Sequence, residues 1–514
     1  MRSLLMLLAN ASALSLACGP STSTSDATTD GGTQTTTDGT TDPGETTTTT
    51  TTTLTPTSTT TLDEPTTTST TTVDPPPPAC DVEVFPGDHA AAVCPSGMCP
   101  ISADVELRCG DLEFGSPGVR VAPTPDVTWV ATASGSDSML FRVTTDSAQR
   151  VTLPARFARS TIHLAAGPGG DLHVAAEVQG TLDPGDSDIA YVAEAHDWAE
   201  ETAHVGIAGE PLAGFQVLPD GRPHIWHFGE GPEDFRELVR DDQGTWTSTP
   251  VAFPTGGYGT PKFGRDAKGR LLAADMRQDD TLYWLDVEVD GAVQRLGKNF
   301  NSSDSQHYFL APSAQPTPPV GAPFAALIQD DALLEVAWPI DDETSAAAQI
   351  PGFGLLEGQC EGSVFPEDDD TCPASCSATA TGFEDQTATL ARTPDGLAWA
   401  VVITTQLDTT YEYTLDCQDR IGCFCQPSVV SDATTSTLHL FRVAMDGTDP
   451  LEVLTLPIPR LATFDAWGEF GDTLVATHAQ AYGSSLAVGL RLHGALPGEI
   501  VVRALRIELD GLAP

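Results

Sequence analysis

The sequence predicts an all-β fold, on three observations. A phrase recurs seven times in which an apolar strand meets a Pro/Gly/Asp turn and then a second, more apolar strand. Two further strand-like segments follow each phrase, and helical periodicity is nearly absent. The copies are VAPTPDVTWVA from Val121, LAAGPGGDLHVAA from Leu164, FQVLPDGRPHIW from Phe215, FGRDAKGRLLAA from Phe263, PPVGAPFAALIQ from Pro318, LARTPDGLAWAVV from Leu390 and AWGEFGDTLVAT from Ala466. Successive turns lie about 45 to 55 residues apart up to the fifth copy and about 75 apart thereafter. Four short strands per unit, at a period near 50, predict a seven-bladed β-propeller over residues 110–514, with the very apolar second strands packed blade on blade. The alternative is a pair of tandem β-sandwiches.

Each element follows from its local sequence. The opening MRSLLMLLANASALSLACGP carries one basic residue, Arg2, and an apolar run from Leu4 to Ala17 that is too short and too interrupted to span a bilayer. Its end, Leu16-Ala17-Cys18, resembles the lipobox of bacterial lipoproteins, with Ser15 where that family most often has leucine. The resemblance implies a signal peptide over residues 1–17, acylation of Cys18, and, with Gly19 rather than Asp next, sorting to the outer membrane. Residues 18–79 are a stalk: more than half of Ser21–Thr72 is threonine, and the segment closes on Pro75-Pro76-Pro77-Pro78. No core forms from such a composition. As a flexible tether of about 60 residues it spans roughly 40 to 45 Å.

Beyond Cys18 stand ten cysteines: Cys80, Cys94, Cys99 and Cys109 in a lead-in over residues 80–109, Cys360, Cys372 and Cys376 in a second cluster, Cys417, Cys423 and Cys425 in a third. An even number in an exported chain predicts disulfides, and no cluster has the paired knuckles of a zinc site. The second and third clusters hold three cysteines each, so at least one bridge must join them if the first pairs within itself. In a four-stranded blade, the link into the next blade and the second-to-third-strand loop emerge on one face. The insertions 351–385 and 405–435 occupy those two places around blade six, which makes such a bridge geometrically natural.

The phrase also resembles the D-G-x-φ strand pairs of bacterial propellers, sialidase-like and gluconolactonase-like groups included, over most of residues 110–510. Asp242-Gln243-Gly244-Thr245-Trp246 is one residue short of the sialidase Asp-box, so no sialidase chemistry carries over.

Charge narrows the partners. Asp and Glu number 72 against 24 Lys and Arg, a net charge of −48, and only eight of the acids lie between Gly19 and Ala79. A field of this sign disfavours nucleic acid and anionic lipid surfaces, and solubility is its plainest use. Acidic loops on the insertion face, Asp183, Asp186 and Asp188, Glu230, Glu233 and Asp234, Asp279 and Asp280, Asp330 and Asp331, and Asp368, Asp369 and Asp370, are candidate Ca²⁺ ligands. No stretch reproduces a known calcium loop. Neither GxSxG, HExxH, GxxxxGK[ST] nor a strand-flanked GxGxxG occurs. His224 and His227 have odd separation on one strand and so face opposite sides. His163, His173, His439 and His478 are expected as satisfied core histidines, and Trp129, Trp226, Trp284, Trp338 and Trp399 mostly as core, with a glycan platform from a few of them as the functional alternative. The expectation is a monomeric, lipid-anchored binding or scaffold propeller that uses its disulfide-braced face for a protein or glycan. A propeller hydrolase or lyase with a divalent ion, and a structural envelope protein without a ligand, are the alternatives.

Overall fold

The computed structural model describes residues 80–512, apart from internal segments of which 352–370, 459–473, 313–321 and 110–117 are the longest. The signal peptide, Cys18 and the stalk lie outside the described residues. Helix is confined, among those described, to three short 3-10 turns.

Strands β1 (Asp81–Val84) and β2 (Ile101–Cys109) open the chain. Six sheets of consecutive strands follow. The first is β3 (Arg120–Pro123), β4 (Thr128–Ser134), β5 (Asp137–Val143) and β6 (Ala148–Val151); the second β7 (Ile162–Ala166), β8 (Leu172–Gln179), β9 (Ser187–Ala193) and β10 (Glu201–Ile207). The third is β11 (Gly214–Val217), β12 (Pro223–Phe228), β13 (Phe235–Arg240) and β14 (Trp246–Val251); the fourth β15 (Tyr258–Arg265), β16 (Leu271–Asp279), β17 (Leu282–Val289) and β18 (Ala292–Phe300). The fifth is β19 (His307–Pro312), β20 (Phe324–Asp330), β21 (Leu333–Pro339) and β22 (Ser345–Gln349). The sixth holds β23 (Ser375–Arg392), β24 (Ala398–Gln418), β26 (Thr435–Val443) and β27 (Leu451–Ile458), with β25 (Gly422–Asp432) paired to β24. The chain ends in β28 (Leu474–Tyr482), β29 (Ser485–His493) and β30 (Ile500–Glu508).

The last three strands make a sheet with the first two, in the order β1-β2-β30-β29-β28. The fold is thus an all-β propeller arrangement. The expected count of seven blades is corrected to six built from consecutive strands, because the seventh sheet among the described residues is a composite of both ends of the domain. Residues 80–109 belong to it. The seventh phrase shifts accordingly: Leu474–Thr477 start the first strand, β28, rather than a second one.

Alternation explains the packing. Each second strand lies between two neighbouring sheets, so both its faces need apolar residues. On β4, Trp129 and Ala131 pack toward the second sheet and Val130 toward the composite one. On β24, Val401 and Ile403 join the core shared with the composite sheet, while Ala400 and Val402 join that shared with the fifth. Seven such clusters, each spanning two successive sheets, close the ring. The first strands β3, β7, β11, β15, β19, β23 and β28 contact one another in the same cyclic order, which sets them around the axis.

The recurring turn has one geometry. At Leu218–Arg222 the N–H of Leu218 donates to the Arg222 carbonyl and that of Gly221 to the Leu218 carbonyl; Thr393–Leu397 repeats both bonds. Gly221 and Gly396 stand at φ +84° and +92°, a region glycine enters without the Cβ penalty.

The insertions are not loops. Ser375–Phe383 of β23 pairs with Thr404–Glu412 of β24, and Thr409–Gln418 pairs with β25, so the two segments form a hairpin extension of the sixth sheet. Cys372–Cys425 joins the second and third cysteine clusters, and Cys417–Cys423 closes the hairpin tip. Cys94–Cys99 is a third described bridge, and Cys80 and Cys376 are also disulfide-bonded. Cys360 lies outside the described residues, as does the Cys109 side chain.

Candidate functional site

A cavity of about 810 Å³ occupies the axis, lined by residues of the first strands β3, β7, β11, β15, β19, β23 and β28. It extends to the first-to-second-strand turns at Pro168, Pro219, Pro394 and Gly483. That is the end away from the hairpin extension, so the expected disulfide-braced face and the cavity do not coincide.

Among the described residues its lining contains no carboxylate. It contains Arg120, His163, Lys262, Arg392 and His478. Arg120, His163 and Lys262 each stand three residues before the end of their first strands β3, β7 and β15, and His478 stands four before the end of β28. Similar depth in strands that ring one axis, and mutual electrostatic influence, bring the four nitrogen-bearing side chains together. Arg392 is different: its guanidinium donates to the carbonyls of Ala322 (3.0 Å) and Gly396 (3.1 Å), serving the fold.

The electrostatics of the layer follow from burial and from proximity of like charge. Desolvation, then the Arg120 and Lys262 charges, push His163 down to about 3. Desolvation, then Arg120 and His163, hold His478 well below the usual histidine value. Burial, then Arg120, lowers Lys262, and burial lowers Arg120. Lys262 itself is exposed on the wall of this open cavity. The N–H of Val121 donates to His478 Nδ1 (3.1 Å), which leaves the proton of the neutral ring on Nε2. His163 Nε2, Thr477 Oγ1 and Gln480 Oε1 are buried with no hydrogen-bond partner among the described residues.

Two of the four histidines expected in the core are therefore cavity residues. The other two are satisfied: His173 lies 2.5 Å from Tyr191 Oη and 2.9 Å from Asp171, and His439 contacts Thr404 (2.9 Å) and Glu452 (2.6 Å). His224 and His227 diverge as the strand period requires, the first to Glu237 (2.7 Å), the second to the Phe228 carbonyl (2.6 Å). Burial would raise Glu237, but hydrogen bonds from Arg265 and His224 hold it down to about 2. Trp129, Trp226, Trp338 and Trp399 are core residues, while Trp284 lies under the Arg295 guanidinium, 4.0 Å away.

Of the acidic candidates, only Asp188 and Asp234 have described side chains. Asp188 is fully buried and accepts from Arg156 Nη2 (2.6 Å), Thr181 N (3.0 Å), Thr181 Oγ1 (2.9 Å) and Gly206 N (3.1 Å), which spends its oxygens. Asp279 and Asp330 end β16 and β20. Asp183, Asp186, Asp280, Asp331, Glu230, Glu233, Asp368, Asp369 and Asp370 lie outside the described residues. Asp234 hydrogen-bonds Arg236 (3.1 Å). Among the described residues no group of three His, Cys, Asp or Glu is placed to hold a metal ion.

No family of known proteins matches this chain, and no curated protein does. Among solved structures it is similar to the polysaccharide lyase Uly1, at 9% identity and TM-score 0.39, over 78% of this chain and 93% of that one. The β-propeller domain of the Trilobed protease from Pyrococcus furiosus matches at 8% and 0.33, over 73% and 89%. A Trypanosoma rangeli sialidase matches at 9% and 0.34, over 84% of this chain and 59% of its own. Lyases, sialidases, lectins and proteases share such propellers, so the likeness does not resolve a binding from an enzymatic role.

Proposed function

We propose that the protein is a non-catalytic binding propeller, anchored by acylated Cys18 to the outer membrane and held off it by the threonine-rich stalk, with the axial cavity as its ligand site. The composite sheet locks the ring by joining the two ends of the domain. The observation that carries the reading is the cavity itself: about 810 Å³, within the range of small-molecule sites, with Arg120 and Lys262 on its wall. A divalent ion, as in the hydrolase or lyase alternative, finds a poor match in the described lining, which is cationic.

The test is a thermal-shift screen of small sugars, sugar acids and amino acids on the mature chain. Ala166→Trp, which puts an indole on the cavity wall, is expected to abolish the shift of any true ligand and leave the unliganded transition in place. Hits that survive this substitution place the site elsewhere. For the anchor, mass spectrometry of the mature N-terminal peptide is expected to show acylated Cys18, and Cys18→Ser to release the protein into the soluble fraction.

A further inference from the structure

The cavity layer runs against the composition of the chain. Acids outnumber bases three to one, 72 to 24, yet among the described residues none lines the cavity, and neither Arg120 nor Lys262 has a carboxylate partner there. The hydrogen bond described for the Arg120 guanidinium is to the adjacent Val119 carbonyl (3.1 Å). Two cations held near each other repel unless an anion lies between them. Solubility explains acids on a surface. It does not explain cations withheld from acids at the axis.

We propose that this layer is an oxyanion site, taking a small organic molecule whose carboxylate, phosphate or sulfate group sits between Arg120 and Lys262; this rests on the reading of the cavity as the ligand site. The chemistry of each member fits. A guanidinium presents paired N–H groups that match the two oxygens of a carboxylate or of a phosphate edge, and an ammonium adds a compact second charge. His478, with its proton on Nε2, is a neutral donor, and His163 Nε2 is a buried ring atom awaiting a partner. The surrounding negative surface keeps polyanions from the domain, while the axial cations select a small anion that enters the axis.

The experiment is isothermal titration of the mature chain with glucuronate, inorganic phosphate and inorganic sulfate, and with glucose as the neutral control. At least one of the anions is expected to bind with unit stoichiometry, more weakly in raised salt, and glucose is expected not to bind. Lys262→Met and Arg120→Met should each weaken that anion about tenfold or more, and Lys262→Arg, which keeps the charge, should restore most of the affinity. The idea is overturned if none of the three anions binds, or if one binds equally well to both Met variants. If Arg120→Met does not fold, the Lys262 pair decides alone. Glucose or another neutral hit that is lost in Ala166→Trp, beside anions that do not bind, leaves the cavity as a ligand site and removes the oxyanion. Hits that are all indifferent to Ala166→Trp remove the cavity reading itself.

Discussion

At the scale of single residues, the ion pair of Asp104 and Arg503 carries the closure of the ring. Arg503 Nε and Nη2 donate to the two Asp104 oxygens at 2.8 and 2.5 Å, with both side chains buried and 399 residues apart in sequence. Removing one partner leaves the other charge buried alone, at a cost of about 3–5 kcal/mol. Asp104→Leu and Arg503→Met are each expected to lower the denaturation midpoint sharply, and the double variant less than the sum of the two. A strictly additive cycle would show that the pair does not couple the ends. Acid sensitivity is also set by individual residues. His163 (about 3), His227 (about 4) and His478 are held below the usual 6.5 by burial, so as pH falls from 6.5 toward 4 the unfolded chain takes up protons that the folded chain refuses. Each such group removes up to about 1.4 kcal/mol per pH unit across its window. Asp275, raised to about 6 by burial, and Glu288, also raised by burial, work in the opposite direction, but burial lowers His173 and His204 as well as the three histidines above. Stability measured by urea titration is expected to fall between pH 6.5 and 4, and His478→Gln to flatten that slope.

At the scale of elements, the sixth sheet shows how an insertion becomes structure. β24 runs 21 residues, of which Ala398–Gln406 pair with β26 inside the ring and Thr409–Gln418 pair with β25 beyond it. The extension buries Leu407, Tyr411 and Cys425 but leaves Val430 and Leu415 exposed. Its order leans also on Cys372–Cys425, which closes a loop of 53 residues, worth about 4 kcal/mol as chain entropy. Replacing both cysteines by serine is expected to make the extension, within residues 407–432, the first site of limited proteolysis, while the main thermal transition moves little. A large loss of that transition would mean that the bridge supports the ring rather than the hairpin.

At the scale of the whole molecule, closure makes the domain cooperative. Eight register pairs from Ile101↔Ile507 to Cys109↔Ile500 join β2 to β30, so the ring is held shut through backbone hydrogen bonds between the two ends of the domain. Deleting residues 80–109 is expected to open the ring and yield an aggregating protein, since β30 then presents an unpaired edge. Truncation just before Cys80 should leave the thermal transition unchanged. Chromatography and thermal unfolding of the two truncations separate these outcomes.

Much of the architecture was already legible along the chain. The Pro-Asp-Gly turns, with glycine where a positive φ is needed, and second strands apolar on both faces are local signals, and both reappear in the structure as turns and inter-sheet cores. The parity of the cysteine clusters likewise foretold a bridge between them. What was not legible is anything that depends on which strands meet around the axis. Arg120, His163, Lys262 and His478 span 358 residues, and each looks like an ordinary polar interruption of an apolar strand. Only similar depth in first strands β3, β7, β15 and β28 makes them neighbours. The pairing of the two ends was hidden for the same reason: a strand carries no mark of its partner when the partner lies 400 residues away. Period and turn chemistry are written locally by sterics and solvation, so the sequence alone determined the repeating unit. Closure and the charged axis arise from long-range packing, so only the tertiary structure decided them.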